Sequence, residues 1–158
     1  MLFTALCALA LTAEPTFELD GNSLKTEPIL FETGKATLKP ESDAVLEHVK
    51  AYLEAKTSIS TLRVEVHSDS QGSEAFNQKL TEARAAEVVA ALVKKGISCA
   101  RLIGVGFGSS KPVAANDSAE NRARNRRTVF VNAALRGRAI GGMPLDGGGV
   151  VAKVPTCL

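Results

Sequence analysis

His67, Ser68 and Asp69 stand side by side, and they are the three side-chain types from which a hydrolase builds a nucleophile, its base and the group that orients the base. Adjacent positions cannot do that work. Successive side chains of an extended segment point to opposite faces, whereas a triad needs groups converging from separate elements. Two histidines and three scattered cysteines give none of the paired spacings that hold zinc. Gly104, Gly106 and Gly108 form a G-x-G-x-G run, but the following helix and the acidic residue that a dinucleotide site requires are missing. That run reads as a bent strand end. No catalytic group, metal or cofactor is expected, and no paired carboxylates present themselves for attack on a polymer. What remains is a set of binding groups: Asp69, then Gly72, Asn77, Leu80 and Arg84.

The elements that must position these groups can be read from periodicity. The segment TEPILF, residues 26–31, reads as a short strand, followed by a turn at Gly34 and a helix start at Pro40. Val45, Leu46, Val49, Tyr52 and Leu53 recur at helical spacing and make one apolar stripe that needs a sheet to cover it. From residue 61 to 67, Leu62, Val64 and Val66 alternate with Arg63, Glu65 and His67, the period of a half-buried strand ending near Asp69. Residues 73–95 are helical in pattern, with Ala83, Ala86, Val89, Ala90 and Val93 on one face and Gly96 as a stop. Thr81 followed by Glu82 resembles a second N-cap, so a break is expected near Leu80 and Thr81. RLIGVGFG, residues 101–108, reads as a third strand, residues 109–124 as a loop, and TVFVNA, residues 128–133, as a fourth strand. Alternating strands and helices favour a two-layer α/β sandwich with both helices on one face of a mixed sheet.

The chain has 158 residues, enough for one domain of ordinary size. Apolar residues at 45% and charged residues at 23% exclude a disordered composition. A net charge of +2 is too small to argue for nucleic acid. Residues 1–13, MLFTALCALALTA, carry no charged side chain and are too short to span a bilayer, so they read as a signal peptide, although no basic residue precedes the apolar run. Cys7 follows Leu6 and lacks the small-residue context of a lipid attachment site. Export leaves Cys99 and Cys157, an even pair that suggests a disulfide; without export, two free thiols are the alternative. Beyond Leu135 the composition turns glycine-rich, so residues 136–158 read as a flexible tail on a domain of residues 14–135.

The stretch VEVHSDSQGSEAFNQKLTEARAAEVVAALVKKGI resembles the strand, loop and helix of the OmpA-like domain family. Upstream, ILFETGKATLKPES is similar to that family's first strand and turn; downstream, RLIGVGFGSSKPVAAN and NRARNRRTVFV are similar to its third strand, loop and final Asn-Arg-Arg strand. The resemblance implies a β-α-β-α-β-β sandwich that binds the diaminopimelate residue of the peptidoglycan stem peptide. By matching positions, Asp69 takes the ligand's ammonium and Arg84 its carboxylate, while Asn77, Ser68 and Thr33 add hydrogen bonds and Phe31 and Leu80 shape the pocket. A carboxylate and a planar two-pronged donor suit a carbon that bears both charges. Two positions depart from the family pattern, with Val66 where it usually has Gly and Ser68 where it usually has Thr.

In a straight helix from Glu74, Arg84 would lie about 15 Å along the axis from its start, too far to join Asp69. The expected break at Leu80 and Thr81 would bring Arg84 back and place it in a first turn, beside free N–H groups. Arg122, Arg124, Arg126 and Arg127 form a rival, nucleic-acid-like patch, but without interleaved aromatics they read as a loop anchor, with Arg127 near the ligand. The implied function is a periplasmic wall anchor, associated with the outer membrane or with an envelope protein partner. The alternative is a structural or assembly protein that keeps the fold without binding the wall.

Overall fold

In the computed structural model, which describes residues 13–158, β3 (Ile59–His67) is the centre of the molecule. In chain order the regular elements are β1 (Leu19–Asp20), β2 (Ser23–Leu24), α1 (Asp43–Ala55), β3, α2 (Glu74–Lys94), β4 (Leu102–Gly106), α3 (Ala119–Asn125), β5 (Arg127–Leu135), β6 (Arg138–Ala139) and β7 (Val150–Val151). The mixed sheet runs β1-β2-β5-β3-β4-β7, with β6 on β5. β3 is parallel to β4, placing Val64 opposite Gly104, and antiparallel to β5, placing Val64 opposite Phe130. The signal-peptide expectation and Cys7 fall on residues outside those described, Ala13 apart. Among the described residues no helix is long and apolar enough to cross a membrane.

The alternation in β3 becomes two faces. Leu62, Val64 and the α1 stripe of Val45, Leu46, Val49, Tyr52 and Leu53 form one core with Val88, Val89 and Leu92 of α2. This face is the two-layer α/β sandwich. The buried stripe of α2 is Asn77, Thr81, Ala85, Val88, Val89 and Leu92, however, and Ala83, expected inside, is exposed. The difference arises because two polar residues belong to the packed face, and a search for apolar periodicity passes over them.

Three expectations about elements are corrected. Residues 26–31 form no strand: Phe31 and Leu38 make only an isolated bridge, and β2 takes the place beside β5. Pro28 has no N–H for a ladder, and Leu30 instead exchanges hydrogen bonds with the buried Ser42 hydroxyl at 2.7 and 3.0 Å. The loop before β5 contains α3, whose start is capped by Ser118 accepting from the Asn121 N–H. The break in α2 is absent. Ser73 is its cap, and the Thr81 hydroxyl donates to the Gln78 carbonyl while accepting from the Gly108 N–H at 2.9 Å, so it is fully used inside a continuous helix.

Gly104 and Gly106 let α2 lie directly on β4. A Cβ at Gly106 would come 2.5 Å from the Glu82 nitrogen, and one at Gly104 would come 3.1 Å from the Ala85 carbonyl oxygen. On the opposite face, residues 140–157 form a strap across the sheet. There the Arg63 guanidinium donates to the carbonyls of Leu145 at 3.0 Å and Pro144 at 3.4 Å; β7 then pairs with β4, and beyond it Ala152 and Val154 are buried on the α2 side, Ala152 against Ala85 and Val154 in the main core. This segment differs from the flexible tail that its glycines suggest. At Gly149 a Cβ would lie 2.5 Å from Val105, so glycine there serves close packing. A disulfide joins Cys99 to Cys157 across 58 residues.

Gly106→Ala is expected to cost about 1–3 kcal/mol, seen as a lower urea midpoint; an unchanged midpoint would mean that α2 is not held against β4. Cys157→Ser is expected to cost about 4 kcal/mol by chain entropy for a loop of this length, measured by the same unfolding curves against the oxidised parent.

Candidate functional site

β3 delivers Ser68 and Asp69 into a tight loop whose shape is fixed by polar side chains. Asn77, in the first turn of α2 and buried, donates to the Gln71 carbonyl at 2.8 Å and the Asp69 carbonyl at 3.3 Å. The Ser68 hydroxyl donates to the Asp69 carbonyl at 3.0 Å, and the Ser70 N–H donates to the Asn116 side chain at 3.2 Å. The Asp69 carboxylate accepts from the Gln71 N–H at 2.9 Å and from the Arg126 guanidinium at 2.5 Å. Its side chain is 8% exposed, whereas that of Arg126 is 47% exposed.

Beside this loop lies a cleft of about 370 Å³ lined by Phe31, Thr33, His67, Arg84, Arg126 and Arg127, among others. Arg84 projects from the middle of α2 over the Phe31 ring, 4.8 Å from its centroid, and donates to the carbonyls of Lys35 at 2.9 Å and Glu32 at 3.4 Å. Burial, and then the charge of Arg126, push the Arg84 pKa down. Burial also pushes down that of Arg127, with Glu65 opposing. Among the described lining residues there is no carboxylate. The cleft is therefore a cationic surface over an aromatic floor, with Asp69 reached through Arg126. Larger hollows of about 600 and 830 Å³ lie against α1 and between α1 and α2, but neither gathers guanidinium groups. Among the described residues no cluster of three His, Cys, Asp or Glu could hold a metal.

The residues singled out in the sequence fall into three groups. Phe31, Thr33, Arg84 and Arg127 line the cleft. Asp69 and Ser68 lie in the loop beside it, and Asn77, from the first turn of α2, shapes its backbone together with Ser68. Leu80 is half-buried on α2 and does not line the cleft. Arg84 and Asp69 share one site without a break in α2 because Arg126 spans the interval between them. Arg84 sits far from the helix start, so the expected contribution of first-turn N–H groups is absent. Arg126, taken from the sequence as part of a loop anchor, is thus the residue that reasoning missed. Its only signal was membership of the Asn-Arg-Arg run.

His67 closes the inner wall. It is 2% exposed, stacks on Phe107 with ring centroids 4.8 Å apart, and places Nε2 3.3 Å from the Glu65 carboxylate; its Nδ1 is buried without a partner. Burial pushes its pKa below the ordinary value, the Glu65 hydrogen bond opposes this in part, and the charges of Arg127 and Lys111 push it further down. Burial alone would raise the Glu65 pKa, but hydrogen bonds from His67 and Arg63 outweigh it and lower the carboxyl below the usual range.

A model of the OmpA family matches residues 30–126. Outer membrane protein A of Bordetella avium is 45% identical over 97 residues, which are 61% of this chain and 50% of that protein. The chain thus spans about half the length of this curated relative. Among solved structures, the peptidoglycan-associated lipoprotein from Burkholderia pseudomallei superposes with a TM-score of 0.61 at 25% identity, over 67% of this chain and 89% of that one. The cell wall anchor of the T6SS from Pseudomonas aeruginosa gives 0.57 at 33% identity, over 65% and 73%. These neighbours share the mixed-sheet α/β fold.

The depressed pKa values of His67 and Glu65 mean that the unfolded chain takes up protons first as pH falls. Stability is therefore expected to be full above about pH 6.5, to decline below it as unfolded histidine protonates, and to decline again below about pH 4.3 as unfolded glutamate does. Urea midpoints at about pH 8 and about pH 5, compared between the parent and His67→Gln, test this. Equal declines in the two proteins would remove His67 as a cause.

Proposed function

The chain belongs to the OmpA family, and from that premise we propose that it is a non-catalytic anchor that binds peptidoglycan through the diaminopimelate residue of the stem peptide. The observation that carries this is the convergence of Arg84, Arg126 and Arg127 on one cleft beside Asp69. Similarity to a peptidoglycan-associated lipoprotein and to a cell wall anchor supports it. The setting is the periplasmic side of the envelope near the outer membrane, with an envelope protein as a further partner.

Diaminopimelate carries an ammonium and a carboxylate on one carbon at its side-chain end. Arg84 offers the planar fork that reads a carboxylate. The ammonium takes the place of Arg126 at the Asp69 carboxylate, and the released Arg126 turns to the ligand's carboxylate. The exchange preserves the pairing of Asp69 while adding a new pair in a partly desolvated cleft, where such hydrogen bonds are stronger than in water. The Thr33 hydroxyl adds a hydrogen bond, Phe31 supplies the floor, Arg127 lies beside the carboxylate, and Asn77 and Ser68 hold the loop that aims Asp69. Leu80 acts at most through packing of α2.

A second reading is favoured by one observation: each oxygen of the Asp69 carboxylate already has a partner, which suits an envelope structural or assembly protein that retains the fold without the ligand. Sedimentation with insoluble diaminopimelate-type peptidoglycan separates the two. The parent is expected to sediment, and Asp69→Ala and Arg84→Ala, shown by circular dichroism to be folded, should each bind roughly tenfold or more weakly, the value of a lost charged hydrogen bond. Lysine-type wall should bind less than the diaminopimelate type. A parent that stays in solution with both walls would end the anchor reading in favour of the second.

A further inference from the structure

The strap lies beyond the residues that match the family, and two chains of contact lead from it into the cleft wall. Along β3, the strap carbonyls of Leu145 and Pro144 hold Arg63, Arg63 Nε donates to Glu65 at 2.7 Å, and the second Glu65 oxygen lies 3.3 Å from His67 Nε2. Through the loop after β4, the Gly147 carbonyl accepts from Lys111 Nζ at 2.9 Å. Lys111 stands 4.3 Å over the Phe107 ring, whose other face carries His67. The Lys111 carbonyl in turn accepts from Arg127 Nη2 at 3.0 Å. Both chains end at His67 and Arg127, which line the cleft.

We propose that the strap of residues 140–157 sets the geometry of the His67 and Arg127 wall of the cleft, with Lys111 as the positioning residue through which it does so. Lys111 does not itself line the cleft. Its ammonium is fixed by a strap carbonyl and a ring face, and its own backbone fixes the guanidinium of Arg127. Without the strap carbonyl the ammonium keeps only the Phe107 face, and the loop that holds Arg127 loses one of its tethers. The inference rests on the cleft being the ligand site, but the position of the wall can be read without a ligand.

The experiment records side-chain NMR signals of the His67 imidazole and the Arg127 guanidinium in the oxidised parent, Lys111→Met and Lys111→Arg. The same proteins are titrated with a soluble disaccharide tripeptide that contains diaminopimelate. Lys111→Met is expected to move both signals and to weaken binding about fivefold, a typical size for coupling through a packed network, with its thermal midpoint near that of the parent. Lys111→Arg, which can meet both the carbonyl and the ring, is expected to restore both. Unmoved signals overturn the proposal, and so do moved signals with affinity unchanged. If the parent binds no ligand, the wall-anchor reading fails, and the signals alone decide the positioning role. If Lys111→Met does not fold, Cys157→Ser, which unfastens the strap at a distance, is judged by the same measurements.

Discussion

Two absent Cβ atoms on β4 govern where everything else in this chain can stand. Because Gly104 and Gly106 admit the backbone of α2 to contact with the sheet, the helix is seated at one depth and one rotation. That seat brings the Thr81 hydroxyl to the Gly108 N–H, turns Asn77 toward the carbonyls of the Asp69 loop and carries Arg84 over Phe31. The three side chains lie along one side of a continuous helix, in keeping with its period. A methyl group at either glycine would lift the helix and disturb all three at once.

The cleft itself is a balance of like charges. Three guanidinium groups share it; burial makes Arg84 and Arg127 costly to hold, and the charge of Arg126 adds to that cost at Arg84. Backbone carbonyls of Lys35, Glu32, Lys111 and Asn125 accept from Arg84 and Arg127, and Asp69 neutralises Arg126. Such an arrangement gains most from an anion that contacts more than one arginine. Burial first, and then the charges of Arg127 and Lys111, disfavour a further cation at His67, with Glu65 opposing in part.

How much of this could be seen in the sequence depended on whether the determining contact was local. The stripe of α1 is a one-dimensional pattern and is buried as expected; the alternation of β3 gives the expected apolar face, but the face expected to be open is covered at Arg63 and His67. The supposed break in α2 came from treating Thr81 as a cap, when its partner is Gly108, twenty-seven positions away. Arg126 could not be singled out from its neighbours in the arginine run, because only the fold shows that it alone reaches Asp69. The glycines of residues 136–158 carry opposite meanings in a free linker and in a tightly packed strap, and composition does not distinguish them. What decides between them is the Arg63 guanidinium, buried on the far face of β3 and in need of carbonyl partners. An arginine in a strand reads from sequence as a solvent-facing residue.

The bond between Cys99 and Cys157 has a mechanical consequence. Tension applied to the chain at residue 157 does not run back through the strap. It crosses between the two sulfurs and enters the body at the turn before β4, so the residues between the cysteines lie off the load-bearing path. A tether pulled from that end would therefore leave the strap, the Lys111 loop, α3 and β5 unstretched. The force would instead pass from Cys99 into the C-terminal end of α2, the helix that Gly104 and Gly106 seat directly on the sheet. Arg126 and Arg127, which lie between the two cysteines in the chain, would stay off that path.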